Sequence, residues 1–153
     1  MLAIATRIAS VHASRPTLAR AASLSLLHQL RRSLSDDTKT RIESAIASKD
    51  VCLFMKGTQE QPMCGFSRAA VQVLEYQGVN SFATVNVLED ADIREGIKEF
   101  SDWPTIPQLY VKGQFVGGTD IMIDMFKKGE LEELLVKEGV IEPTPEETTQ
   151  KKQ

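Results

Sequence analysis

Cys64 is the residue whose type and setting offer the clearest chemistry in this sequence. It stands in Pro62-Met63-Cys64-Gly65-Phe66-Ser67, between a polar loop and the first turn of a predicted helix. At a helix start, unpaired backbone N–H groups and the positive end of the helix dipole stabilise a thiolate. Lys56, at the end of the preceding predicted strand, adds a positive charge nearby. A thiol of lowered pKa is the expected result, with no histidine required. The alternative is a buried structural cysteine, common for a free thiol, and a loop holding Pro62 and Gly65 is poor core material. Cys52 reads the opposite way: it lies inside the apolar run Val51-Cys52-Leu53-Phe54-Met55 and is expected to be inert packing. Ser67 stands where a Cys-x-x-Cys reductase has the second thiol that resolves a mixed disulfide. Reduction through Cys64 would need an outside thiol.

Other chemistries are pruned by what the chain lacks. Both histidines, His12 and His28, fall in the first 33 residues, so the rest has neither a Cys–His or Ser–His pair nor a histidine-ligated metal site. No GxxxxGK[ST] or GxGxxG occurs to cradle phosphates. Two cysteines build neither a disulfide framework nor a four-cysteine metal site within one chain. At 153 residues, 42% hydrophobic and 25% charged, the chain has the size and composition of one globular domain. No apolar run reaches the roughly 18 residues of a membrane span, and a net charge of −3 gives no reason to expect nucleic acid.

That net charge averages two unlike parts. Residues 1–33 carry Arg7, Arg15, Arg20, Arg31 and Arg32, no lysine and no acid, amid Ser, Ala and spaced Leu and Ile. This is the composition of an amphipathic organelle transit peptide. We read it as a mitochondrial presequence, cleaved near Arg31-Arg32-Ser33 and directing the protein to the matrix; a disordered basic tail or a nucleic-acid-binding arm is the alternative. Beyond it, 13 basic residues face 21 acidic ones, a formal charge of −8.

The elements that must position Cys64 follow from periodicity. A helix start at Ser35-Asp36-Asp37, the strand at 51–55, a helix from Gly65 ended by Gly78, a strand over 82–87 and a helix capped by Asp90 come first. Two short strands, 106–111 and 114–116, then flank the hairpin signal Lys112-Gly113. Helices opened by Thr119-Asp120 and closed by Gly129 and Gly139 follow. The expected class is α/β: a mixed four-stranded sheet flanked by helices, occupying residues 34–141, with 142–153 a frayed tail.

Four motifs, in this order, resemble the monothiol glutaredoxins that carry Cys-Gly-Phe-Ser, specifically the mitochondrial single-domain type. They are Lys56-Gly57-Thr58, Pro62-Met63-Cys64-Gly65-Phe66-Ser67, Trp103-Pro104-Thr105-Ile106-Pro107-Gln108 and Gly117-Gly118-Thr119-Asp120. The similarity spans about 100 residues and implies a thioredoxin fold, glutathione binding and a shared 2Fe-2S cluster. It implies a cis bond before Pro107, with the Ile106 backbone turned outward to pair with the glutathione peptide. It makes Lys56 and Arg94 the partners of the glycine carboxylate. The N–H groups of Gly118, Thr119 and Asp120 would take the γ-glutamyl carboxylate, and the Asp120 side chain its ammonium. Singly, each has a bland reading: a solvated strand end, a surface helix residue, a helix cap. Trp103 reads as packing beside the loop. The pattern departs at Thr119, where some members carry cysteine, so no disulfide from there to Cys64 can form.

A 2Fe-2S cluster takes four thiolate-type ligands. One chain offers Cys64, so a second subunit and two glutathione thiols would complete the set in a cluster-bound homodimer. The expected function is therefore a mitochondrial carrier that takes a cluster from an assembly scaffold to apo-proteins, with BolA-type proteins as further partners. The alternative is a glutathione-dependent thiol oxidoreductase that deglutathionylates proteins with the same Cys64.

Overall fold

The computed structural model describes residues 35–143. The expected presequence and its cleavage point lie outside the described residues. So does the expected tail, apart from Glu142 and Pro143, which have no regular structure.

The elements are α1 (Asp36–Ala47), β1 (Val51–Met55), α2 (Gly65–Tyr76), β2 (Ala83–Asn86), α3 (Ala91–Ser101), β3 (Gln108–Val111), β4 (Gln114–Gly117), α4 (Thr119–Lys128) and α5 (Glu130–Lys137). Local chemistry sets most of these boundaries. The Ser35 hydroxyl caps α1 by accepting the Thr38 N–H at 3.1 Å. The Asp90 carboxylate caps α3 through the N–H groups of Asp92 and Ile93. Lys112 and Gly113 both take left-handed conformations, φ 48° and 83°, as the two-residue hairpin between β3 and β4 requires.

The sheet order is β2-β1-β3-β4, with β1 parallel to β2 and antiparallel to β3, and β3 antiparallel to β4. This is the mixed four-stranded sheet that the sequence predicts. Every side chain of β1 is buried, and they alternate between two cores. Val51, Leu53 and Met55 pack with α2, α4 and α5 through Leu74, Met122, Leu131 and Leu135. Cys52 and Phe54 pack on the other face with Ile42, Ile46, Ile93, Ile97 and Tyr110 from α1, α3 and β3. Burying each large apolar side chain contributes about 1.5–3 kcal/mol, so the strand that both cores share is the least tolerant of change.

Two strands are shorter than their apolar runs. β2 ends at Asn86 rather than Val87, because the chain turns at Leu88 after the Val87 N–H bonds the Met55 carbonyl at 2.9 Å. β3 begins at Gln108 rather than Ile106. Pro107 has no N–H to give a ladder, and residues 103–107 instead form a wall beside Cys64.

Cys52 is fully buried and burial pushes its thiol up to about 12, as inert packing requires. Cys52→Ser places a hydroxyl in that apolar layer and should cost about 1–3 kcal/mol of stability, the penalty for a buried polar group left without a partner. Urea denaturation measures it, and the alkylation rate of Cys64 should stay unchanged. A variant as stable as the parent would mean that this layer holds a hydrogen-bond partner for the hydroxyl.

Candidate active site

The segment from Lys56 to Met63 is a closed turn rather than a loose loop. Gly57 and Pro62 form an isolated antiparallel bridge, the Met63 N–H bonds the Lys56 carbonyl at 2.9 Å, and the Thr58 N–H bonds the Gln61 carbonyl at 3.1 Å. The Asn86 side-chain oxygen accepts the Gly57 N–H at 2.8 Å, pinning the turn to the end of β2. Gly57 sits at φ 91°, and a Cβ there would lie 2.2 Å from the Gln61 carbonyl oxygen, so only glycine fits. This turn delivers Cys64, half-buried, to the cap position immediately before α2.

The backbone does the electrostatic work at the sulfur. The Cys64 thiol is held below its ordinary range first by the N–H of Ser67, then by that of Phe66; partial burial opposes this, and the Lys56 charge adds the smallest pull. The lowered pKa expected at a helix start is therefore present, with Lys56 as its lesser cause. Ser67 itself is fully buried, and its hydroxyl accepts the Lys56 N–H at 3.1 Å. It braces the strand end against the thiolate turn.

Cys64 opens onto a cavity of about 620 Å³. Lys56, Arg94, Ile106, Gly118, Thr119 and Asp120, drawn from four separate stretches of sequence, all line it together with Cys64. The Ile106–Pro107 peptide is cis, as the resemblance implies. Gly118 is the cap residue of α4, so the first N–H groups of that helix are left without intrahelical acceptors. Thr119 contributes there through its backbone alone. Its side chain is buried, and the hydroxyl donates to the Phe66 carbonyl at 3.2 Å, tying the starts of α2 and α4 together.

Sequence reasoning missed part of the wall. Trp103, read as packing, lines the cavity, and a Cβ on Gly118 would sit 3.1 Å from its indole nitrogen. Glycine at 118 thus lets the ring close over the start of α4. Lys98 and Glu95 also line the cavity, and the Glu95 carboxylate sits between Arg94 and Lys98 at 3.2 Å from each. Their spacing on one helix with Arg94 was the signal that would have found them. These pairs are solvent-screened and weak, so Arg94 is readily drawn to another carboxylate. Phe66 and Leu88 supply exposed apolar surface at the cavity.

The chain is similar to known proteins in sequence and in fold. The Glutaredoxin family profile matches residues 51–116. The chain is 58% identical over 120 residues to a mitochondrial monothiol glutaredoxin-5 of Lachancea kluyveri, covering 77% of this chain and 84% of that protein. It is 53% identical over 126 residues to the mitochondrial monothiol glutaredoxin-5 of Saccharomyces cerevisiae, covering 81% and 84%. The solution structure of reduced apo GrxS14 from poplar superimposes with a TM-score of 0.62 at 45% identity, over 71% of this chain and 98% of that one.

The thiolate's stabilisation sets a pH dependence. A thiol pKa lowered by folding stabilises the folded state above the unfolded thiol's pKa, and that contribution is lost as pH falls through the folded value. Alkylation of Cys64 by iodoacetamide follows the thiolate, so its pH–rate midpoint should lie below that of the same chain in denaturant. Lys56→Ala should raise the midpoint only part of the way, because the N–H groups of Phe66 and Ser67 remain. Identical midpoints in native and denatured protein would refute the role of the helix start.

Proposed function

The chain belongs to the monothiol glutaredoxin family, and from that premise we propose that it is a mitochondrial carrier of 2Fe-2S clusters, holding its cargo at a homodimer interface with glutathione. The observation that carries this reading is a single accessible, acidified thiol, Cys64, lining a cavity whose walls also offer cations and a helix start. Reduced glutathione has a carboxylate at each end and an ammonium at one. Lys56 and Arg94 suit its glycine carboxylate and the start of α4 its γ-glutamyl carboxylate, with the exposed Asp120 side chain placed for the ammonium. The Ile106 backbone, on the wall between, would pair with the peptide. When bound, glutathione would supply a second thiol beside Cys64.

The ligand count supports the carrier reading. Among the described residues no group of three or more His, Cys, Asp or Glu is placed to hold a metal ion, and Cys52 is buried and protonated. Four thiolates for one cluster then require two copies of Cys64 and two small-molecule thiols. Ligands half supplied by an exchangeable tripeptide suit handing over the cluster. A scaffold protein as donor, apo-proteins as acceptors, BolA-type proteins as partners and the matrix as location complete the proposal. The mitochondrial relatives and the arginine-rich first 33 residues support the mitochondrion, and the matrix is our reading within it.

The acidified Cys64 also favours a second reading, deglutathionylation of protein thiols. Its thiolate would attack the mixed disulfide and release the protein thiol. A second glutathione would then have to free Cys64, since Ser67 has no thiol to offer.

Anaerobic reconstitution of the chain with iron, sulfide and glutathione separates these readings. Cys64→Ser should abolish the coloured dimer and leave the fold intact. Arg94→Ala or Asp120→Ala each removes one charge-assisted contact, worth about 1.5–3 kcal/mol, and should raise the glutathione needed for the coloured dimer by roughly one to two decades. Size-exclusion chromatography with visible absorbance across a glutathione titration gives the result. A coloured monomer, or a cluster-bound dimer formed without any small thiol, would overturn the carrier assignment.

A further inference from the structure

Five consecutive cavity-lining residues, 103–107, belong to no helix or strand. Two are prolines, and neither can donate a backbone hydrogen bond. The Trp103 N–H bonds the Lys98 carbonyl at 3.1 Å, which fixes only the beginning of the segment. Behind it lies Gln108, fully buried. Its carboxamide nitrogen donates to the carbonyls of Trp103 at 3.0 Å and Thr105 at 3.1 Å. Both hydrogens of the amide are thus used, and two facing carbonyls dictate which way it points. Its oxygen accepts from the Tyr110 hydroxyl at 3.4 Å. Burial pushes that phenol up to about 12, so it keeps its proton. Rings close the same region from the side, Trp103 against Phe115 at 5.7 Å and Phe115 against Tyr110 at 5.4 Å.

We propose that Gln108 is a positioning residue of the glutathione site, its buried carboxamide drawing the carbonyls of Trp103 and Thr105 inward so that the 103–107 wall keeps its shape against the cavity. This role rests on glutathione occupying the cavity. Gln108 touches no ligand-facing atom and acts through the backbone it holds. A residue with two donors and one acceptor on a planar group is required there. A carboxylate of the same shape would aim oxygen at both carbonyls, and an apolar side chain would take the donor from both carbonyls and the amide acceptor from the Tyr110 hydroxyl. The thiolate lies outside this network, since it is held by the first turn of α2. Loss of the wall should therefore weaken the ligand and leave the thiol untouched.

The experiment compares the full chain with Gln108→Glu and Tyr110→Phe, titrating reduced glutathione by calorimetry and recording the pH–rate midpoint of Cys64 alkylation. Gln108→Glu should raise the glutathione Kd about tenfold, from the loss of two hydrogen bonds, with the midpoint unmoved. Tyr110→Phe removes only the support of the amide oxygen and should raise the Kd about threefold. A folded Gln108→Glu with parental Kd overturns the role. So does a midpoint that shifts along with the Kd, which marks general loosening. If Gln108→Glu does not fold, Tyr110→Phe decides, and an unchanged Kd there refutes the proposal. A parent chain that binds no glutathione overturns the ligand reading and this role with it. Parental binding with no effect of either variant overturns this role alone.

Discussion

A strand buried on both faces sets the terms for everything else in this protein. β1 has five consecutive side chains with no exposure, and its alternation feeds one core with Val51, Leu53 and Met55 and the other with Cys52 and Phe54. Covering both faces demands helices on both sides, and pairing both edges demands β2 and β3. The site then falls at the carboxyl end of that strand, where Lys56 leaves the sheet and the 57–63 turn returns the chain to α2. The fully buried strand thus leads, through one closed turn, to the reactive cysteine. Helix starts gather at the same end: α2 and α4 are joined there by the Thr119 hydroxyl on the Phe66 carbonyl.

Chemistry without histidine follows from that convergence. An imidazole could activate a thiol by taking its proton, at the expense of titrating in the physiological range. Here the sulfur is stabilised chiefly by backbone N–H groups, which do not titrate and which only a proline substitution removes. The arrangement largely separates two tasks, with Lys56 the one residue that serves both. The turn at α2 makes the thiolate, while Lys56, Arg94 and the start of α4 offer charge complementarity around the cavity. A shared base would have coupled thiol acidity to ligand binding.

Cys64, Lys56, Arg94, Ile106, Gly118, Thr119 and Asp120 were legible in the sequence as a set, because four motifs in order specify one arrangement and that arrangement brings all seven to one cavity. Cys52 was legible from its apolar neighbours alone. The α/β class and all nine elements followed from periodicity, caps and glycines, with errors where a long-range demand overrode a local pattern. Ile106 and Pro107 belong to an apolar run yet leave the strand to build a wall. Trp103 looked like packing because its neighbour across space, Gly118, lies fifteen residues away and carries no side chain to signal the approach. The buried roles of Ser67 and Gln108 were hidden for a related reason. A serine or glutamine in a sequence is by default exposed, and only the fold reveals that one accepts from Lys56 and the other holds two carbonyls.

The contacts around the cavity also differ in permanence, and that difference bears on what the site is suited to do. Gln108, Thr119 and Ser67 are buried and hydrogen-bonded, so the frame is costly to disturb. Arg94 and Asp120 are exposed, and Arg94 is held only by a surface pair with Glu95. Exposed charges exchange partners at a cost of about 1 kcal/mol or less, and they are screened over about 8 Å at physiological salt. A buried frame carrying loosely held charges would let the proposed small anionic thiol bind without reorganisation. It would also let that thiol leave without unfolding, because only solvent-facing ion pairs must re-form. A site meant to keep its ligand would invert the pattern and bury the charges. Beyond residue 33 the chain's formal charge of −8 adds a further push: two such copies repel unless something specific lies between them. Under the proposed function, that repulsion favours separation of the two copies once the shared cargo has been handed over.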